Sequence, residues 1–139
     1  MGSVSAGGAG SSAVGGSSLV VWRILSALLL VAMGGIHLFL VFEWADGLLG
    51  VLFVLNAIGG LILAIGMLVG RFLPLVSVLS LVFMAGTLLG LILALTVGLF
   101  GITETMSGQL VSTTLIVESI GIIVLAVTTI LAFRNQRAG

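Results

Sequence analysis

The chain has 139 residues, 60% of them hydrophobic and 6% charged, with a mean hydropathy of +1.50 and no formal net charge. Such a composition cannot supply the polar surface of a water-soluble globule, so the solvent around it is lipid. Zero net charge and the lack of a basic tract exclude nucleic acid as a partner held by bulk electrostatics. The absence of cysteine and lysine excludes disulfides, thiolate chemistry, Cys-ligated metal and Schiff bases.

Residues 1–18 are almost entirely Gly, Ser and Ala. Such a segment buries too little apolar surface to offset the entropy of ordering, and a disordered tail is expected. Ala6 stands where an N-myristoylation signal wants Ser or Thr. The apolar run that follows is too long for a cleaved signal peptide, which keeps the first helix in the mature protein.

Four apolar runs follow, each about the 20 residues that an α-helix needs to cross a hydrocarbon core of roughly 30 Å. The runs are continuously apolar rather than alternating, which predicts helices and not barrel strands. The first spans residues 19–42, with Trp22 and Arg23 near its start and Glu43, Trp44 and Asp46 just past its end. Both tryptophans fall at predicted membrane interfaces, where an amphipathic ring is best accommodated. The second run, 48–69, is separated by only a short link from the third, 74–100, which opens on Pro74. A proline in the first helical turn costs little, since its missing N–H had no partner there. A polar turn, 101–109, carries Glu104, and the fourth run, 110–133, ends in a short basic tail, 134–139.

The expected architecture is therefore an all-α membrane protein, an antiparallel bundle of four transmembrane helices. With both termini in the cytoplasm, Arg23, Arg71, Arg134 and Arg137 all sit at the inner face, and Glu43, Asp46 and Glu104 at the outer one. That distribution obeys the positive-inside rule and predicts a multi-pass protein of the cytoplasmic membrane. The use of arginine as the sole basic residue type, apart from one histidine, is in keeping with a GC-rich bacterial source.

Helix association in lipid depends on close backbone approach, which small residues at four-residue spacing allow. Gly86, Gly90, Ala94 and Gly98 form such a stripe on the third helix. It is expected to pack helices within one subunit, with a homodimer seam as the alternative.

Polar side chains inside the membrane are the candidate functional residues: His37, Asn56, Thr87 and Glu118, one on each helix. At 1.5 Å of rise per residue, His37 lies roughly 8 Å below the outer end of its helix, and Asn56 and Glu118 each roughly 12 Å below theirs. Thr87 is expected deeper, near the midplane. A carboxyl group at such depth costs on the order of 2.5–3.5 kcal/mol, so Glu118 should face the bundle interior and find a partner. The foremost reading is a hydrogen-bonded knot that fixes helix register. A protonatable site made by Glu118 and His37 is the alternative, and a haem or metal ligated by a single histidine is the weakest.

In size, helix count and a membrane-embedded glutamate, the chain resembles the small multidrug resistance transporters. It departs from them in that the family's acid belongs to the first helix, where this chain has His37, while Glu118 is on the fourth; tyrosine is also absent. No residue role is carried over. Three classes remain. An accessory subunit of a larger membrane complex is favoured by the short loops, with a proton-coupled homodimeric transporter next. An enzyme or cofactor carrier comes last, since no nucleophile–base pair, metal spacing or phosphate loop is present. No cofactor is implied, and the partners are lipid and other membrane subunits or a second copy.

Overall fold

The computed structural model describes the backbone of residues 2–99, 103, 105, 108 and 110–138, and the side chains among these from 18 to 137. Among the described residues four helices follow one another: α1 (Gly2–Glu43), α2 (Gly47–Val69), α3 (Leu73–Thr96) and α4 (Val111–Ala138). Each contains a segment long and apolar enough to cross a membrane, namely Ser18–Glu43, Gly47–Val69, Leu73–Thr96 and Val111–Arg137. The chain is thus a small all-helical protein with four candidate membrane spans. The expected disordered tail falls mainly on residues whose side chains lie outside those described, as does Glu104 in the 101–109 turn.

Chain chemistry sets where the helices end. α2 stops at Gly70, whose φ of +72° is a left-handed conformation open to glycine, and whose N–H donates to the Gly66 carbonyl. Pro74 occupies the first turn of α3. α3 ends at Thr96, short of the expected Phe100, because Gly98 takes φ +91° and turns its N–H back onto the Leu93 carbonyl at 2.7 Å.

The helices are unequally packed. α1 lies most extensively against α2, followed by α3 against α4 and α1 against α4, whereas α2 and α3, joined by three residues, touch far less than these. The α1/α2 crossing is a close one. A Cβ on Gly34 would lie 3.2 Å from the Ala57 Cα, and one on Gly60 would lie 3.0 Å from the Leu30 carbonyl oxygen, so a side chain at either position would require the facing backbone to shift by a few tenths of an ångström. Leu30, Met33, Ala64 and Met67 fill the core beside this crossing, and Met84 and Leu125 continue it between α3 and α4.

Two polar locks reinforce that half. Arg23 donates from Nε to the Met67 carbonyl at 3.0 Å and from Nη2 to the Leu68 carbonyl at 2.7 Å. These carbonyls belong to the last turn of α2, where no helical N–H remains to bond them and where a cation meets the negative end of the helix dipole. Buried Ser26 and Thr128 join α1 to α4 through their hydroxyls at 2.9 Å.

α2 and α3 meet through side chains instead. The Phe83 ring packs on Gly59, Val76 packs on Gly66, and Asn56 reaches Thr87. Beyond Asn56 and Thr87, toward the Gly47 end of α2, the two helices leave a gap.

Candidate functional site

That gap is a cavity of about 440 Å³, walled mainly by apolar side chains of α2 and α3 and closed behind by α1 and the first turn of α4. The polar residues on its wall are His37, Asn56, Thr87 and Thr114, with the Trp44 indole beside them. Val82 and Gly86 on α3 and Trp44 beyond α1 line the cavity and are also exposed, so it is not fully enclosed.

The helix ends explain why these residues share one level. Asn56 stands nine residues from the Gly47 end of α2 (56 − 47), and Thr87 nine residues from the Thr96 end of α3 (96 − 87). The early stop of α3 thus brings Thr87 level with Asn56 instead of deeper. The Asn56 Nδ2 donates to Thr87 Oγ1 at 3.0 Å, and Thr87 Oγ1 in turn donates to the Phe83 carbonyl at 2.8 Å. A carbonyl can only accept, so the hydroxyl hydrogen is spent there and the amide must present its NH₂ face to Thr87. Asn56 Oδ1 is left buried, with no hydrogen-bond partner among the described residues.

His37 is held by its own helix. Its Nδ1 lies 2.8 Å from the Met33 carbonyl, and its ring meets Phe53 edge-to-face with centroids 4.7 Å apart. Since the carbonyl accepts, Nδ1 carries the hydrogen, and in the neutral ring Nε2 is the free acceptor. Phe53 also contacts Trp44 edge-to-face at 6.2 Å, forming an aromatic group at this end of the cavity. Thr114 Oγ1 donates to the Leu110 carbonyl at 2.7 Å.

Glu118, one turn beyond Thr114 on α4, is completely buried, and neither carboxyl oxygen has a hydrogen-bond partner among the described residues. Of the four polar residues singled out from sequence, Asn56 and Thr87 bond to each other, and His37 shares the cavity with them. Glu118 is off the cavity wall, and no bond joins it to the other three.

The small residues of α3 fall on the same opening. Gly86, Gly90 and Ala94 line the cavity. A Cβ on Gly86 would meet nothing within 4 Å, one on Gly90 only the Leu99 side chain, and Gly98 lies beyond the helix. Sequence reasoning did not reach Arg23 as a cap on α2 or Ser26 with Thr128. The signal for the first was a cation one helix turn inside an apolar run; the others are hydroxyls common to any membrane helix. No protein-family model matches the chain, and neither a curated protein nor a solved structure is significantly similar to it, so the site is read from its own residues.

Proposed function

We propose that the chain is a structural or accessory subunit of a larger complex in a bacterial cytoplasmic membrane, an antiparallel bundle with both termini on the cytoplasmic side. The antiparallel arrangement is supported by residue pairs whose numbers run in opposite senses: Arg23 with Met67 and Gly34 with Ala57, Gly66 with Val76 and Asn56 with Thr87. The orientation rests on Arg23, Arg71, Arg134 and Arg137 gathering at one end of the spans, with Glu43 and Asp46 at the other.

The observation that carries the subunit reading is the uneven cover of the helices. α2 and α3 bury a smaller share of their spans within the chain than α1 and α4 do. Their outward rows, including Val51, Leu55, Ile58 and Ile62 on α2 and Leu75, Leu79 and Val82 on α3, are apolar and exposed. Native mass spectrometry after gentle extraction from the source membrane tests it. Release with larger subunits in fixed stoichiometry is expected; release alone removes the reading.

Glu118 favours a second one, a proton-coupled homodimeric transporter using Glu118 and His37. A register-fixing acid should be bonded, and both of its oxygens lack a partner among the described residues. In vesicles loaded with a pH-sensitive dye, Glu118→Gln is then expected to abolish proton flux with the bundle intact. Unchanged flux would remove this second reading.

A further inference from the structure

The polar residues of the cavity wall turn their bonds into the protein. Thr87 donates to the Phe83 carbonyl, Thr114 to that of Leu110 and His37 to that of Met33, while the Asn56 amide donates to Thr87. Asn56 Oδ1 is itself buried and does not face the space. What does face it is mainly carbon, from Leu40, Leu52, Phe53, Leu91 and Ala94 among others. Water is poorly held by such a wall, whereas hydrocarbon enters it without giving up a hydrogen bond. The shape narrows the choice of occupant. On α3 the wall runs from Val82 to Ala94, 12 residues or roughly 18 Å at 1.5 Å each. Spread over that length, 440 Å³ leaves a mean section of about 24 Å², far below the ~80 Å² of a helix 10 Å across. A partner's helix is too wide for the slot, and a single extended chain of methylenes fits. At ~30 Å³ for a group of a water's size, close to that of a methylene, the volume takes about fifteen of them.

We propose that this cavity is a lipid site, which takes one acyl chain of a bilayer phospholipid with its headgroup at Trp44 and its tail along α3 toward Val82. The two exposed parts of the wall suit that course. Trp44 lies between the first two spans, at the level of headgroups, where its amphipathic ring is best accommodated, and Val82 and Gly86 lie within the third span. Glu43 and Asp46, exposed on either side of Trp44, set two carboxylates at this mouth, and the four arginines lie at the other end of the spans. A free fatty-acid anion is repelled there, so the chain belongs to a lipid without net negative charge. Gly86 and Gly90 leave room for the tail: a Cβ on the first would meet nothing within 4 Å, and one on the second only the Leu99 side chain. The site lies within a single chain, apart from the outward apolar rows of α2 and α3, and stands whether or not that chain has a protein partner.

The test uses the full chain in phosphatidylcholine vesicles containing a trace of phosphatidylcholine with a diazirine midway along one acyl chain. After photolysis, adducts are mapped by peptide mass spectrometry. They are expected on Leu52 and Phe53 of α2 and on Leu91 and Ala94 of α3, besides outward residues such as Leu55 and Leu79. Ala94 is the sharpest reporter, because it is buried and lines the cavity. Gly90→Leu, which fills the slot, should lower the cavity adducts about fivefold or more and leave the outward ones unchanged. A fatty acid with the same diazirine tail, ionised at alkaline pH, should label the cavity less than the phospholipid does, each measured against its own outward adducts. Adducts confined to outward residues overturn the proposal, as do cavity adducts that persist in a Gly90→Leu protein of unchanged far-UV helicity. Equal or stronger cavity labelling by the fatty acid overturns the choice of a phospholipid. Since the map of the unaltered chain needs no change in the wall, it decides the matter even if Gly90→Leu does not fold.

Discussion

The α1/α2 crossing and the α2/α3 gap are made from the same kind of sequence and behave in opposite ways. Gly34 and Gly60 stand where a Cβ would strike the backbone of the facing helix, whereas a Cβ on Gly86 would meet open space. What separates them is the partner. At the crossing, Arg23 ties the end of α2 to α1, and the two backbones close on each other. Across the gap, the bulk of Phe83 on Gly59 and the length of the Asn56–Thr87 bridge hold α2 and α3 apart, and the remaining space becomes a cavity. A glycine in a membrane helix therefore marks either a contact or a vacancy, and only the opposite helix decides which.

Substitutions can break this contrast, beginning with Gly60→Leu. The added side chain meets the Leu30 carbonyl, a backbone atom that cannot swing aside, and a loss of about 3 kcal/mol or more is expected in SDS titration from a mild detergent. Arg23→Ala comes next: two hydrogen bonds from a charged donor to otherwise unpaired carbonyls vanish. About 1–2 kcal/mol should be lost, since one of the two is exposed to screening. A double-mutant cycle of Ser26→Ala and Thr128→Val should give a coupling near 0.6 kcal/mol, the scale typical of hydroxyl bonds between membrane helices. Smallest of all, Gly86→Leu should leave stability unchanged or raise it by up to about 1 kcal/mol, as leucine is the better helix former and the space is free. If Gly86→Leu were as damaging as Gly60→Leu, the contrast between crossing and gap would be gone.

Much of the architecture was legible from composition. The four runs stand out because lipid-facing helices have no polar face to interrupt them, and Gly70 and Pro74 mark the α2/α3 link in plain chemistry. Depth could be counted for His37, Asn56 and Glu118, but rotation about the helix axis could not, because all faces of these helices are apolar. Hence the bond from His37 to its own Met33 carbonyl, and the isolation of Glu118 from the other polar residues, had no sequence signal. Thr87 was misjudged in depth through a boundary: valine, leucine and phenylalanine continue past Thr96, and Gly98 ends the helix within an unbroken apolar run. The small residues of α3, and the Gly59–Gly60 pair and Gly66 and Gly70 on α2, were visible as packing seams, but nothing in their spacing says that Gly60 meets the Leu30 carbonyl and Gly34 the Ala57 backbone.

The cap on α2 bears on how the protein is made. Arg23 reaches carbonyls 44 and 45 residues later in the chain, and Gly70, against which the guanidinium lies, follows directly after α2. Everything that fastens α1 to α2 is therefore encoded before Arg71. During synthesis the first two spans hold all the groups of their own interface while α3 and α4 are still to come, so the chemistry of that crossing is complete before either helix that opens the cavity toward α3 has been made.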